Sequence, residues 1–245
     1  WPLMRGAFSN GGEKMLVLQI SIKGYTASFR SPASMNYQES LPFPPPTTIT
    51  GIIGAATGKE YFEAQNYCRD LSFGVHIQEN EGMAKDAWAI KKVKDGGRSI
   101  GKAVVIREVL YRPNIILLIV GPETKLKEIE KAISDPCFPL SLGRDDEFIT
   151  FIQSELETAE RVEKSVIHNT VVKGDLQGKI NITALSEGSI PHFKTYWLNS
   201  EFDRDKRNPK ARRPKGRSPY TYISEPVKYS GEAVAVSDTV FPLWR

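Results

Sequence analysis

SFRSPASMNYQESLPFPPPTTITGIIGAATG, residues 28–58, decides how the first half of this chain is read. It passes from Arg30-Ser-Pro32 through three consecutive prolines, Pro44 to Pro46, into two threonines and a segment rich in Gly and Ile. Proline fixes φ and removes a backbone donor, so the stretch predicts a stiff, extended approach to a helix. Thr47 or Thr48 is the expected N-cap. Ile49, Ile52, Ile53 and Ala56 then fall at i, i+3, i+4 and i+7, one helical stripe. Gly51 and Gly54 lie on another side and permit close backbone approach, and Gly58 is placed to stop the helix.

Working outward, Leu16, Leu18, Ile20 and Ile22 alternate with Val17, Gln19 and Ser21, a strand with one buried face. Tyr61, Ala64, Tyr67 and Cys68 predict a second short helix, and Leu71, Phe73, Val75 and Ile77 a further strand. Residues 81–102 are polar, basic and Gly-containing, and read as a projecting hairpin with its tip near Asp95-Gly96-Gly97. Ala103 to Tyr111 returns as strand, carrying Arg107, and Ile115 to Val120 is a buried central strand. Leu126, Ile129 and Ile133 mark a helix stopped by Pro136. The order is β-α-β, an inserted hairpin, then β-α, and one more strand completes a split βαβ, ferredoxin-like unit of class α+β. Residues 1–14 read as an extension with Met15 as a natural start, 15–150 as the main domain, and 151–245 as a smaller β-rich region. In that region Val166 to Val172 and Lys179 to Leu185 read as strands.

A chain of 245 residues suits one elaborated domain or two small ones. Its net charge of +4 says less than the distribution of that charge. Cys68 and Cys137 lack metal-ligand spacing, so a reducing cytosol is expected rather than a disulfide framework. The longest aliphatic run, Ile115 to Val120, is too short to span a bilayer, and the N-terminal residues show no signal-peptide pattern. The expectation is a soluble cytoplasmic protein with no membrane partner.

Positive charge concentrates in two places. The hairpin holds Lys85, Lys91, Lys92, Lys94, Arg98 and Lys102 against Glu81, Asp86 and Asp95. Cations on a projecting arm suit phosphate neutralisation, and Trp88 among them is placed to stack on a base. The plain alternative is a solvated hairpin with Trp88 pinned to the core. The second concentration is the loop 204–217, with Arg204, Lys206, Arg207, Lys210, Arg212, Arg213, Lys215 and Arg217 opposed by Asp205. Pro209, Pro214 and Gly216 argue against a helix there, so it reads as a mobile basic loop that either meets a polyanion or merely solubilises. His76, His168 and His192 have no companions at motif spacing. No His/Cys/Asp/Glu cluster has ligand spacing, so neither metal nor cofactor is expected. In Pro139-Leu-Ser-Leu-Gly-Arg144, Gly143 allows an unusual backbone shape, and Arg144 presents a fork suited to phosphate or to a salt bridge with Asp145 or Glu147.

Four of these segments together resemble the Cas five family, CRISPR-associated proteins of the RAMP superfamily. They are Phe29-Arg30-x-Pro32, Leu41-Pro-Phe-Pro-Pro45, Thr47-Thr48-Ile-x-Gly51-Ile-Ile-Gly54-Ala-Ala56 and Pro139-Leu-x-Leu-Gly-Arg144. The resemblance covers roughly residues 15–150. It implies a ferredoxin-like (RRM-like) βαββαβ core, an inserted basic β-hairpin thumb at about 81–102, and a β-rich C-terminal region. It also implies a non-catalytic subunit of a Cascade-type interference complex that grips the 5′ handle of the CRISPR RNA and packs against the repeating backbone subunit and the large subunit. Arg30, Thr47, Thr48, Trp88, Lys91, Lys92, Lys94, Arg98, Lys102, Arg107 and Arg144 are then the expected RNA-binding residues. The helix after the prolines offers free N–H groups as a phosphate seat. Some relatives cut the CRISPR repeat with a Tyr, Lys and His set. Here Ala55-Ala56-Thr57-Gly58 has no tyrosine at the expected place, although Tyr61 is near. The runner-up is therefore a metal-independent endoribonuclease using His168 or His192. A third reading is an adaptor whose 204–217 loop meets target DNA or a neighbour's acidic surface.

Overall fold

The computed structural model describes residues 13–34, 37–79, 81–93, 97, 99–176, 193–206, 208 and 211–245. Most of residues 1–14, the hairpin tip at Asp95-Gly96, Lys94, Arg98, the expected strand 179–185, His192, Arg207 and Lys210 lie outside them. The protein is α+β, rich in strand with few helices.

Strand β1, Lys14–Gly24, is followed by helix α1, Pro46–Thr57, and helix α2, Tyr61–Tyr67. Strand β2, Ser72–Glu79, leads into a long ribbon of β3, Gly82–Val93, and β4, Ser99–Tyr111. Strand β5, Asn114–Val120, helix α3, Glu123–Ser134, and strand β6, Ile149–Ile167, complete this half. The remainder supplies β7, Thr170–Lys173, β8, Phe193–Asn199, β9, Arg217–Ile223, β10, Val227–Val236, and β11, Thr239–Pro242. One nine-stranded antiparallel sheet runs β8-β9-β7-β2-β5-β1-β6-β10-β11. Its central four strands lie in the order β6-β1-β5-β2, with α1 and α2 between β1 and β2 and α3 between β5 and β6. A division at residue 150 falls just inside β6, and strands after it extend the sheet at both edges.

The pleat explains the layers. Leu18, Ile20 and Ile22 of β1 point to the helix side, where Ile49, Ile52 and Ile53 of α1 and Leu126, Ile129 and Ile133 of α3 complete the core. Each such aliphatic side chain contributes about 1.5–3 kcal/mol on burial. The expected single buried face of β1 holds for part of it, because Val17 is buried on the other side with Leu118, Val234 and Phe241. That second face is closed by the C-terminal strands. The Phe73 N–H donates to the Trp244 carbonyl at 2.8 Å and the Trp244 N–H returns a bond at 2.9 Å. Residues just after β11 thus reach β2, five strands away along the sheet.

The proline stretch differs from expectation in one respect. Neither threonine caps α1: the N-cap is Pro45 in extended geometry, and Pro46 takes the first helical position. Proline fits there because its fixed φ is helical and it has no N–H to leave unpaired. The Pro45 carbonyl accepts from the Thr48 N–H at 2.9 Å and the Ile49 N–H at 3.2 Å, so these are not free for a phosphate. Pro44, Pro45 and Pro46 are buried, with Phe43 stacked on Tyr222 and edge-on to Tyr196. Gly58 ends α1 with φ +70° as expected. Gly54, but not Gly51, meets a close neighbour, the Ala64 methyl of α2.

Two further readings are corrected. Val166 to Val172 is not one strand: β6 turns into β7 through His168 and Asn169, the latter at φ +46°. The basic loop 204–217 is an antiparallel hairpin over its described residues, with Phe202–Arg204 against Arg212–Pro214, before β9 begins.

Candidate nucleic-acid interface at the base of the thumb

The ribbon β3–β4 is the projecting hairpin expected from the sequence, and it is longer, reaching back to Tyr111. Its two faces differ. The register pairs Asp86 with Arg107, Trp88 with Val105, Ile90 with Ala103 and Lys92 with Gly101, and all share one face. The other face holds Lys85 opposite Glu108, Ala87 opposite Ile106, Ala89 opposite Val104, and Lys91 opposite Lys102. The expected RNA-binding residues therefore do not form one surface. Trp88, Lys92 and Arg107 look one way, Lys91 and Lys102 the other.

The first face meets the glycine turn at the ribbon's base. Gly143 has φ +104°, and a Cβ there would lie 2.1 Å from the Ser28 carbonyl, so only glycine lets the turn come this close. The turn is fixed by Glu147, whose buried carboxylate accepts from the Ser28 N–H at 2.8 Å, the Ser28 hydroxyl at 2.7 Å and the Arg144 N–H at 3.3 Å. Burial pushes the Glu147 carboxyl up, and the Ser28 donors, the Arg144 N–H and Arg107 pull it partly back. Arg144 then projects over Trp88, its guanidinium carbon 4.7 Å from the ring centroid, and donates to the Gln38 side chain. It has no carboxylate partner among the described residues. Neither Asp145 nor the Glu147 side chain pairs with the guanidinium, contrary to the salt bridge considered from sequence.

Arg107 also lies beside Trp88, at 5.5 Å, but is differently placed. It bonds Asp86 at 2.7 Å and sits 3.7 Å from Glu147 and 3.9 Å from Asp146. Its charge is thus met within the protein. Trp88 remains 42% exposed, so it is neither fully pinned to the core nor free.

The segment between Arg30 and the prolines is drawn onto the ribbon. Tyr37–Gln38 runs parallel to Ile106–Arg107, and Phe29–Arg30 pairs with Ser40–Leu41. Glu108 holds it by accepting from the Tyr37 hydroxyl at 2.6 Å and the Ser40 N–H at 3.1 Å. The bond to Glu108 pushes the Tyr37 phenol up to about 12. Arg30 itself is exposed, while Thr47 and Thr48 are half-buried in the first turn of α1. Sequence reading missed Gln38, Tyr37 and Glu108, and took Glu147 as a salt-bridge partner of Arg144 rather than as the carboxylate that bonds Ser28. No local signal marks them, because their partners lie far along the chain.

Of the residues considered for catalysis, His76 and His168 meet each other and Tyr61 lies apart from them. His76 faces the C-terminal strands beside Phe241, and His168 meets it edge-on at 5.3 Å between centroids. Burial pushes both imidazoles down from their ordinary range. Tyr61 lies in α2 on the opposite, helix side of the sheet, with its phenol pushed up by burial to about 12. Among the described residues no group of three or more His, Cys, Asp or Glu side chains is placed to hold a metal ion, and no helix is long and apolar enough to cross a membrane.

A nine-stranded antiparallel sheet, with a separate cationic ribbon whose base meets an arginine-bearing glycine turn, defines an α+β protein with an exposed basic arm. Residues 17–222 match the family described as CRISPR-associated protein (Cas_Cas5), and the chain belongs to that family. No curated protein matches the sequence. Among solved structures, it is similar to a chain of a "CRISPR RNA-guided surveillance complex" with 15% identity and TM-score 0.49, covering 87% of this chain and 91% of that one. It is also similar to a chain of a Type III-B Cmr-beta complex bound to cognate target RNA and AMPPnP, with 11% identity and TM-score 0.47, covering 87% and 86%. A third, described as a Cas protein, has 14% identity and TM-score 0.40, covering 88% and 95%.

Proposed function

We propose that this protein is a non-catalytic RNA-binding subunit of a cytoplasmic CRISPR effector complex, holding the 5′ handle of the CRISPR RNA with its thumb. Its core is read as ferredoxin-like (RRM-like) βαββαβ, in keeping with the order β6-β1-β5-β2. The observation that carries the reading is the direct opposition of Lys91 and Lys102 on an exposed arm, without acidic partners among the described residues. Like charges across a ladder are destabilising on their own, and a phosphate backbone offsets them. The sheet face that RNA-recognition folds use for base stacking is here filled by Phe241, Val234 and Val236, which supports assigning the RNA to the thumb and its base. Met83, Ile106 and Val104 stand exposed on the lysine face and suit contact with the backbone or large subunit.

A second reading, repeat endoribonuclease, draws on the His76–His168 pair. End-labelled CRISPR repeat RNA mixed with the full chain in EDTA and run on native and denaturing gels separates the two. The expected result is shifted, uncut RNA. A discrete shortened product overturns the non-catalytic reading.

A further inference from the structure

The hairpin Phe202–Arg204/Arg212–Pro214 is a second cationic construction, apart from the thumb. Its register sets Arg204 directly opposite Arg212. The Arg204 guanidinium lies 4.4 Å over the Phe62 ring and that of Arg212 4.7 Å over Tyr61, so both rest on the side chains that begin α2. The hairpin is tied to α2 at one point by two bonds: Gln65 donates to the Phe202 carbonyl at 3.1 Å and accepts from the Phe202 N–H at 2.9 Å. Neighbouring charges are internally matched, Arg213 by Asp205 and Lys215 by Glu201. Arg204 and Arg212 have no carboxylate partner among the described residues. Two guanidinium groups held side by side on aromatic supports are pre-organised to donate to an oxyanion, and their mutual repulsion persists until one arrives.

The chemistry of the surface narrows the partner. Among the described residues no large apolar side chain of α2 or of this hairpin is exposed, whereas protein interfaces bury an apolar centre. Single-stranded nucleic acids are held by cations together with free aromatic faces for base stacking. Here Tyr61, Phe62 and Phe202 are already engaged by the arginines and by one another. What remains is a polar, cationic ledge suited to phosphates alone. The site is also remote from the thumb along the chain: α2 precedes the start of β2, and the thumb leaves from its other end.

We infer that Arg204 and Arg212 form a phosphate clamp for the backbone of a nucleic-acid duplex, read without regard to sequence. The test uses the full chain, a labelled duplex DNA of about 20 random base pairs and the single-stranded repeat RNA, each titrated over a range of salt. Arg204→Ala/Arg212→Ala should weaken duplex binding about tenfold and lower the salt slope by about two, near one per phosphate contact. Repeat-RNA binding should change less than about threefold, since that reports the thumb. Unchanged duplex affinity and slope overturn the inference. So does equal loss for both ligands, or displacement of the duplex by poly-glutamate at equal charge, which would make the pair a protein contact. Should the variant misfold, arginine-specific modification of the unaltered protein decides: duplex should shield Arg204 and Arg212, and modification at an undiminished rate refutes the clamp.

Discussion

Glu147 is 3% exposed, its carboxylate accepting from Ser28, far along the chain, and from Arg144, three residues before it. Its removal would orphan the Ser28 hydroxyl and leave the Ser28 N–H only its 3.4 Å bond to the Leu142 carbonyl, and an unsatisfied buried group costs about 1–3 kcal/mol. Because burial raises its pKa above the unfolded value, the folded state binds more protons across that interval. The associated stability is complete below the ordinary carboxylate pKa and lost as pH rises through the raised one. Because the lowered His76 and His168 imidazoles act with the opposite sign, the readout is a difference: urea midpoints of the unaltered protein should decline relative to those of Glu147→Gln as pH rises through this window. An identical slope in the variant would assign it to other groups. Arg144 depends on this residue, since the turn that aims it over Trp88 is fastened by the same carboxylate.

At the scale of elements, the thumb carries opposed demands. Lys91 across from Lys102 is a like-charge pair that disfavours the ribbon, and the proposed RNA-holding role gives that pair its phosphate partner. Lys102→Glu should convert a like-charge pair into an attractive one, strengthening the ribbon by about 0.2–1 kcal/mol while reducing RNA affinity. Hydrogen exchange of β3 amides and RNA titration would read the two effects separately. A variant that binds RNA as well as the unaltered protein would place the lysine face outside the RNA site. How far the sequence exposes such features depends on range. β1, β5 and α3 are legible because Leu18, Ile20 and Ile22, or Leu126, Ile129 and Ile133, repeat with a local period. The thumb is legible by its composition, but not the division of its lysines between faces, which depends on the partner strand's register. Thr47 and Thr48 mislead because a proline at the first helical position outranks a nearby threonine as the start. His168 misleads because its neighbour Asn169 tolerates a positive φ and makes a turn inside an apolar run. Arg204 and Arg212 appear in the sequence merely as members of a basic run.

In the whole molecule, the region after residue 150 does not stand beside the core but encloses it. Trp244 is 4% exposed, 5.6 Å from the Phe73 ring and 5.4 Å from that of Tyr220. Trp244→Ala should cost about 3–5 kcal/mol and lower the melting temperature of the entire sheet in one transition. Two separate transitions would instead show the C-terminal strands melting independently. The bridge between Phe73 and Trp244 also bears on how the protein is made. A ribosome that has just produced β2 must still translate up to residue 244, roughly ten to thirty seconds at about 5–20 residues per second. Through that interval Val17, joined by Ile116 and Leu118 once β5 is made, has no lid, and a nascent chain with a bare greasy flank is what chaperones of the translation machinery attend to.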